Sequence, residues 1–399
     1  MSKWEEKRLE DIIDVNPPVK LKKGESYPFI DIDKVSPTRC SVTNEEVKVY
    51  DGQSSSKFCD GDTVFSRITP CLENRKIAKV AIEGDAAFGS TEFYVFRAKK
   101  KKADARFTYY LTSSDAVVLP AINSMTGASG RQRADKRFIQ RLKLNLPDLP
   151  TQERIADVLS AYDELIDANN RRIALLEQTA QELYKEWFVR FRFPGYENVQ
   201  FQDGFPKSWI IKRLADYGRT ETGKTPSTEI AENYGEEMMF VKTPDMHGNM
   251  FIIQTEDMLS ERGHSTQPKK LLPANSIMVS CIGTAGVVSI NARPAHTNQQ
   301  INSIILNNPN ELEWLYHTCK SLKETIELFG ATGATMTNLS KGKFEKLKVV
   351  DPGEDLILAY HNKVKPLFDG IKSLMYQNQN LAAQRDMLLP RLMSGKLEV

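Results

Sequence analysis

The sequence of 399 residues is poor in cysteine and histidine, and neither sign of charge dominates it. Its five cysteines form no CxxC pair, which argues against a disulfide framework and favours free thiols in a reducing compartment. Its five histidines are scattered without ligand spacing, so we predict no metal site. The chain has 54 Lys and Arg residues and 52 Asp and Glu residues, which gives a net charge of +2. This total neither requires nor excludes a nucleic-acid partner.

Long apolar segments are also missing. The N-terminus lacks the apolar stretch of a signal peptide. The uncharged run between Lys270 and Arg293 contains Pro273 and the turn-like segment 283–286, which favours a buried β-hairpin over a membrane span. We therefore expect a cytoplasmic protein without a membrane partner. No Ser, His and Asp set and no Cys and His set can be assembled into a catalytic site.

What the sequence does contain is an internal repeat, with copies roughly 205 residues apart. Trp4 and Leu9 recur as Trp209 and Leu214, and Phe29-Ile30 recurs as Phe240-Val241. The other recurrences are Thr126-Gly127-Ala128 with Thr332-Gly333-Ala334, and Phe138, Leu142 and Pro147 with Phe344, Leu347 and Pro352. Two copies in a fixed order predict a two-lobed molecule with an internal pseudo-dyad.

Each copy begins with a β-rich region, at residues 1–150 and at residues 192–352, where the second region includes a short connector. β-branched and aromatic residues with partial alternation indicate the strands. In the first copy these are residues 29–32, 63–68, 76–82 and 91–97, and in the second they are residues 239–242, 277–282, 286–290 and 301–306.

Each copy ends in a long helix, at residues 151–191 and at residues 353–399. Thr151 is the expected N-cap of the first helix. Apolar residues recur in heptads in both segments, which is typical of a coiled coil. In the first helix the seam comprises Ile155, Leu159, Tyr162, Ile166, Asn169, Ile173, Leu176, Leu183 and Trp187. In the second it comprises Tyr360, Val364, Leu367, Ile371, Leu374, Asn378, Leu381, Leu388 and Leu392.

Neither helix can bury its apolar stripe alone, so we expect the two helices to pair. Antiparallel pairing of two repeated units gives an α+β dumbbell, with two β-rich domains joined by two long antiparallel coiled-coil helices and related by a pseudo-two-fold axis. Such symmetry matches duplex DNA, whose half-sites would then be held at a spacing that the protein sets. Parallel pairing, or pairing with another chain, stays open at this point.

One segment fits a nucleotide-binding motif. Residues Gly218–Thr225 read GRTETGKT, which matches the phosphate-loop pattern GxxxxGK[ST]. The residues before it are too polar for a buried parallel strand, and Pro226 would break the helix that should follow. The pattern match nevertheless leaves one alternative to a DNA-reading protein, which is a phosphate-loop ATPase with a coiled-coil arm.

Candidate nucleic-acid contacts are basic, hydroxyl and amide side chains near predicted loops, because such groups bind phosphates and base edges. In the first lobe they are Lys20, Lys22, Lys23, Arg67, Arg75, Lys76, Arg131, Arg133 and Lys136. In the second lobe they are Thr222, Lys224, Thr225, Lys242, Asn298, Gln299, Gln300, Thr337, Asn338 and Lys341.

The helical segments resemble those of a known family. The run at 146–191, which begins LPDLPTQERIADVL, is similar to the central helical region of type I restriction–modification specificity subunits. NQNLAAQRDMLLPRLMSGKLEV, at 378–399, resembles their C-terminal helix. The lobe segments similar to their target recognition domains are GDTVFSR, GSTEFYVF, residues 127–138, GFPKSWIIKRL, TGKTPS, HTNQQINSI and LSKGKFEKL.

The resemblance implies a non-catalytic subunit that binds a bipartite site in double-stranded DNA, one half per recognition domain. It also implies two modification subunits as partners, which methylate adenine, and restriction subunits bound through them. S-adenosylmethionine, ATP and Mg²⁺ would then belong to those partners, and no cofactor is expected in this chain.

Overall fold

The computed structural model describes residues 4–37, 39–43, 46–128, 130–330 and 338–399. The chain divides into two compact units. Unit 1 comprises Met1–Asp167 and Asn378–Val399, and unit 2 comprises Ala168–Gln377. Each unit therefore contains one β-rich region, one segment of the first long helix and one segment of the second.

The β-rich region of unit 1 contains eleven strands and four short helices in its described residues, and the first of these helices follows the first strand directly. The strands are β1 (Trp4–Arg8), β2 (Ile13–Val15), β3 (Ser26–Ile30), β4 (Ser41–Thr43), β5 (Glu46–Val49), β6 (Ser56–Phe58), β7 (Thr63–Ser66), β8 (Ile77–Ala81), β9 (Ala87–Gly89), β10 (Phe93–Ala98) and β11 (Lys143–Pro147). The helices are α1 (Leu9–Ile12), α2 (Ala105–Ser113), α3 (Asp115–Asn123), α4 (Lys136–Gln140) and α5 (Leu149–Tyr184).

Two sheets form the body of unit 1, in the orders β2-β10-β7-β8-β4 and β5-β3-β9-β6. Alternate residues of β7 serve two cores, because successive side chains of a strand point to opposite faces. Val64 packs in a core that also contains Ile30 and Phe58 of the smaller sheet. Phe65 packs on the other face, in a core that includes Phe107 of α2. The larger sheet is thus buried on both faces.

Unit 2 repeats this arrangement. Its strands are β12 (Phe201–Gln202), β13 (Phe205–Pro206), β14 (Ile210–Arg213), β15 (Gly218–Thr222), β16 (Tyr234–Val241), β17 (Phe251–Ile252), β18 (Met258–Leu259), β19 (Ile277–Ser280), β20 (Val288–Asn291), β21 (Ala295–Thr297), β22 (Ile301–Leu306) and β23 (Lys348–Asp351). Its helices are α6 (Thr243–Met246), α7 (Glu261–Ser265), α8 (Leu312–Ser321), α9 (Lys323–Gly330), α10 (Lys341–Glu345) and α11 (Glu354–Met393).

The strand order confirms the internal repeat. The five-stranded sheet of unit 2 runs β15-β22-β19-β20-β17, which matches the larger sheet of unit 1 strand for strand. Strands β3 and β9 pair in parallel, as do β16 and β21, so Phe29 and Phe240 occupy the same place. Strands β19 and β20 form the hairpin predicted from the uncharged run.

One correspondence inferred from the sequence was wrong. Phe344 follows the helix cap Ser340 by four residues, and its amide donates to the Ser340 carbonyl at 2.9 Å. In unit 1 the same bond joins Ile139 to the cap Asp135, at 3.1 Å. The partner of Phe344 is therefore Ile139, which is buried like Phe344, whereas Phe138 is 46 % exposed.

Four helices of the β-rich regions, α2 and α3 in unit 1 and α8 and α9 in unit 2, were not predicted from the sequence. They are 8 to 10 residues long, and Pro120 lies inside α3. Helices this short carry too few turns for a clear apolar period. Helices α2 and α8 pack on the larger sheet of their unit, and α3 and α9 pack against α2 and α8. Tertiary burial rather than local pattern stabilises all four.

The two long helices lie where the heptads predicted them. Helix α5 continues into a π-helical turn at Lys185–Val189, and α11 extends for 40 residues. The predicted cap of α5 was wrong by three residues. The helix begins at Leu149, and the carboxylate of Asp148 accepts a hydrogen bond from the Thr151 amide at 3.1 Å. No helix in the described part of the chain combines the length and apolar composition needed to cross a bilayer.

Within each unit the two helical segments are antiparallel. In unit 1, Arg154 Nε donates to the Val399 carbonyl at 2.9 Å, while Asp163 forms an ion pair with Arg385. In unit 2, the Tyr360 hydroxyl donates to the Ala180 carbonyl at 3.1 Å. A methyl group on Gly370 would touch Leu176 Cδ1 at 3.6 Å. The numbers fall in one helix as they rise in the other, so the parallel alternative is wrong.

Every predicted seam residue is buried or half-buried. The buried members are Ile155, Leu159, Asn169, Trp187, Tyr360, Val364, Ile371, Leu374 and Leu392, and the half-buried members are Tyr162, Ile166, Ile173, Leu176, Leu183, Leu367, Asn378, Leu381 and Leu388. In unit 2 the aromatic rings of Tyr184, Phe188 and Phe368 add to this apolar surface.

Candidate nucleic-acid interface

The segment that matched the phosphate-loop pattern has a different structure. Strand β15 is an edge strand antiparallel to β22, and residues 223–228 do not form a helix after it. A phosphate loop requires a buried parallel strand before the loop and a helix after it. The ATPase alternative is therefore not supported.

This segment instead packs against the amide-rich turn at 297–300. Thr222 Oγ1 donates to Asn302 Oδ1 at 2.6 Å, and the Lys224 amide donates to the Thr297 carbonyl at 2.9 Å. Thr225 Oγ1 donates to Gln299 Oε1 at 2.5 Å. Gly223 permits this approach, because a Cβ there would lie 2.1 Å from the Asn298 carbonyl oxygen. Two segments that the sequence singled out separately thus form one surface.

Gln300 connects this surface to two further loops. Its Oε1 accepts hydrogen bonds from Thr243 Oγ1 at 3.2 Å and from Asn298 Nδ2 at 3.1 Å. Its carbonyl accepts from the Cys281 amide at 2.7 Å, and the residue after Cys281 forms a β-bridge with Asn338. Unit 2 therefore gathers most of its predicted contacts around one turn.

The predicted residues of unit 2 differ in exposure. Lys224, Gln299, Asn338 and Lys341 are exposed, whereas Asn298 is buried. Those that are half-buried are Thr222, Thr225, Lys242 and Gln300. Lys242 forms an ion pair with Asp257, and Lys341 Nζ lies 3.8 Å from Glu345 Oε1. Thr337 lies outside the described residues.

Backbone hydrogen bonds identify the equivalent place in unit 1. The Arg67 amide donates to the Glu92 carbonyl at 3.0 Å, as that of Cys281 does to Gln300. The Ala134 amide donates to the Arg67 carbonyl at 2.8 Å. In unit 2 the Leu339 amide donates to the Cys281 carbonyl at 2.9 Å in the same way. Hence Arg67, Glu92 and Arg133 of unit 1 occupy the positions of Cys281, Gln300 and Asn338.

The chemistry at this shared place differs between the units. In unit 1 the Glu92 carboxylate accepts from Arg133 Nε at 2.9 Å and from Arg133 Nη2 at 2.7 Å. It also accepts from Arg67 Nε at 3.2 Å. The Arg133 hydrogen bond, supported by the charge of Arg67, holds the pKa of Glu92 below its ordinary value despite partial burial. Unit 2 has neutral residues at all three positions.

The other predicted cations of unit 1 fall into two groups. The first group is at the surface: its exposed members are Lys20, Lys22, Lys23 and Arg131, and its half-buried member is Lys136. Within this group, Lys22 Nζ lies 3.3 Å from Glu25 Oε1. Arg75 and Lys76 have internal partners. Arg75 donates to the Ser113 carbonyl at 3.1 Å and pairs with Asp115, and Lys76 donates to the Ile32 carbonyl at 3.0 Å. These two hold loops together within unit 1.

Sequence reasoning missed Glu92, which links two of the predicted arginines. A carboxylate repels phosphates, so the chemistry of phosphate binding does not point to an acidic residue. The repeat carried a usable signal, because GSTEFYVF and HTNQQINSI align with Glu92 opposite Gln300. Unit 1 gathers cations and one carboxylate, and unit 2 gathers cations, hydroxyls and amides. These are the groups that recognise phosphates and base edges.

Comparisons with known proteins agree with this chemistry. The family model described as "Type I restriction modification DNA specificity domain" matches residues 1–178 and 206–352. The chain is 30 % identical to the type I restriction enzyme HindI specificity subunit of Haemophilus influenzae, with all of both chains covered. It is 24 % identical to the MjaIX specificity subunit of Methanocaldococcus jannaschii, over 99 % of this chain and 94 % of that one.

A solved structure shares the fold. It is the S subunit of a type I restriction–modification system from M. genitalium, with a TM-score of 0.56 and 14 % identity over 98 % of this chain and 96 % of that chain. With two copies of the matching domain and full coverage of a 30 % identical relative, the protein belongs to the specificity subunits of type I restriction–modification systems, which are the non-catalytic, DNA-recognising members of those complexes.

Proposed function

We propose that this chain reads a bipartite site in duplex DNA, with unit 1 recognising one half-site and unit 2 the other. The observation that carries this proposal is the place shared by Arg67, Glu92 and Arg133 in unit 1 and by neutral residues in unit 2. A repeated fold with the same side chains would read a symmetric site. Different side chains in equivalent loops suit an asymmetric site with two unlike halves.

In this proposal each unit also presents a lysine suited to binding a phosphate. Lys20 in unit 1 and Lys224 in unit 2 are exposed, and both lie in the loop that follows the edge strand of the larger sheet. Contacts of this kind fix the position of a protein on the duplex, and amide or guanidinium groups then distinguish bases. Loops entering the major groove would bring both kinds of group into reach.

The helix pair sets the distance between the half-sites in this proposal. Antiparallel segments pack in each unit, and both helices are continuous from one unit into the other. A paired helix is stiff over such a length, so the number of heptads determines the spacer. Two adenine methyltransferase subunits would bind the chain, and restriction subunits would join through them, as the resemblance to specificity subunits implies.

The test uses the chain produced together with its modification subunits in a host that lacks other adenine methylation. Genome-wide mapping of methylated adenines should give one motif with two defined halves and a constant number of unread bases between them. A motif with one half, or a spacer that varies freely, would contradict the proposal.

Duplex binding by the same complex tests the assigned surface. Lys224→Ala should weaken binding to all sequences about equally, and should lower the slope of log affinity against log salt by about 1. Lys348→Ala is the matched control, since Lys348 is an exposed residue of the same unit and lies on β23, which pairs with β14 and is not one of the gathered loops. Equal effects of the two changes would remove the support for this surface.

A further inference from the structure

The side chain of Arg67 is held on two sides. Its Nε donates to Glu92 Oε2 at 3.2 Å, and its guanidinium lies 5.4 Å from the centre of the Tyr94 ring. That ring is itself fixed, because Tyr94 is buried and its hydroxyl donates to the Ala134 carbonyl at 2.7 Å. Little side-chain entropy is then left to lose when the guanidinium binds a partner.

The outer edge of this guanidinium is available. Among the described residues, Nη1 and Nη2 of Arg67 make no hydrogen bond, and the side chain is 29 % exposed. Glu92 also accepts two hydrogen bonds from Arg133, so two arginines share one carboxylate and the three side chains carry a net positive charge. A structural ion pair would need only one of these arginines.

We infer that Arg67 reads a guanine in the half-site of unit 1, with Glu92 and Tyr94 as positioning residues. This inference rests on the proposed function. The two free Nη groups are parallel donors in a rigid plane, and guanine presents two acceptors, O6 and N7, on its major-groove edge. Adenine, thymine and cytosine each place at least one donor or methyl group there, so they are disfavoured.

The equivalent place in unit 2 cannot read guanine in this way. Cys281 replaces Arg67 and is 1 % exposed, and Gln300 replaces Glu92. Unit 2 presents the exposed amides of Gln299 and Asn338 beside this place, and amides pair with adenine. The two half-sites therefore differ at corresponding positions because one guanidinium is present in one unit and missing from the other.

The experiment maps adenine methylation by the full complex carrying Arg67→Lys. Lysine keeps the charge but loses the planar pair of donors. One guanine in one half-site should become degenerate, with about a tenfold or greater loss of discrimination at that position. The other half-site and the spacer should not change. Lys143→Gln, which changes an exposed strand residue paired with Glu6, serves as the control and should leave the whole motif intact.

Glu92→Gln tests the positioning role. It should relax the same position as Arg67→Lys and no other, whereas a merely structural role would lower the melting temperature and leave the motif as it was. If either variant fails to fold, duplex-library binding by Arg67→Gln supplies the second measurement.

Three results overturn the inference. If the motif of Arg67→Lys equals that of the wild type, the cluster is structural only. If Arg67→Gln weakens binding to every sequence equally and lowers the salt slope, Arg67 contacts a phosphate. If the relaxed position is a base other than guanine, the assigned base is wrong. A wild-type complex without any bipartite motif would instead refute the proposed function itself.

Discussion

A buried charge network joins the two helices inside unit 1. Asp163 and Arg385 form an ion pair at 2.5 Å, with side chains 5 % and 19 % exposed. Tyr110 of α2 donates its hydroxyl to the same carboxylate. Burial together with Asp163 raises the pKa of the Tyr110 hydroxyl above its ordinary range, so it remains a donor. This network ties the helix pair to the β-rich part of its own unit.

Asp163→Asn should destabilise the protein by about 3 kcal/mol, because it removes the buried charge that pairs with Arg385 and leaves that guanidinium only the exposed carboxylate of Asp386. Denaturant unfolding of the purified chain measures this loss. The control is Lys365→Gln, which breaks an exposed pair with Asp369 on the same helix as Arg385 and should cost no more than about 1 kcal/mol. Equal costs for the two substitutions would show that the buried network contributes nothing special.

Glu311 makes the free energy of unfolding of unit 2 depend on pH. Burial raises the pKa of its carboxyl to about 7, with Lys212 opposing the shift and Asp351 and Glu354 adding to it. The folded state thus holds the proton more tightly than the unfolded chain, whose carboxyl titrates near 4.5. The contribution of Glu311 to the unfolding free energy therefore falls as pH rises from about 4.5 to about 7.

Glu311→Gln should remove the contribution of Glu311 to the pH dependence of stability. Relative to the wild type, the variant should become steadily more stable between about pH 4.5 and pH 7, and the difference should level off above that window. Urea unfolding at a series of pH values gives the two curves. Exposed Glu229→Gln is the control, and a flat difference for Glu311→Gln as well would contradict the assigned cause.

At the scale of elements, the seam of the two long helices matters most. It consists of apolar residues in heptads with Asn169 and Asn378 as amides, and all of its predicted members are at least half-buried. The spacing of such a seam is preserved when whole heptads are added or removed. A change of any other length would turn the apolar stripe away from its partner.

Deletion of residues 166–172 and 374–380, one heptad from each helix, should shorten the preferred DNA spacer and leave both half-sites unchanged. One heptad is about 10.5 Å of helix, or roughly three base pairs. Methylation mapping of the variant complex reads the spacer directly. Insertion of one heptad in each helix is the matched control and should lengthen it. Altered half-sites with an unchanged spacer would defeat the proposal that the helix pair acts as a ruler.

At the scale of the whole molecule, the two units are separate compact bodies with their own cores. Contacts with DNA in one unit should then be energetically independent of those in the other.

Lys20→Ala and Lys224→Ala should therefore act additively on duplex binding by the full complex. The double variant should lose the sum of the two single losses to within about 0.5 kcal/mol, as distant sites without shared partners do. Titrations at several salt concentrations provide the four affinities of the cycle. A coupling energy well above this limit would mean that binding by one unit alters the other.

Much of the architecture was determined by the sequence alone. Heptads specify two long helices because their period is local and sustained over many turns. The repeat specified two units of one fold, since the same residue types recur in the same order. The hairpin at 277–291 followed from an apolar run interrupted by turn residues. All of these signals lie within short stretches of chain.

Tertiary structure alone decided which side chains meet. Hydrogen bonds across dozens of residues join Thr222 to Asn302 and Arg133 to Glu92, and no local pattern encodes such pairings. The same long-range contacts gave Arg75 and Lys76 internal partners, although by sequence they looked like any other exposed cation. Periodicity reports which face of an element is apolar, whereas a recognition surface depends on how several loops are brought together by packing.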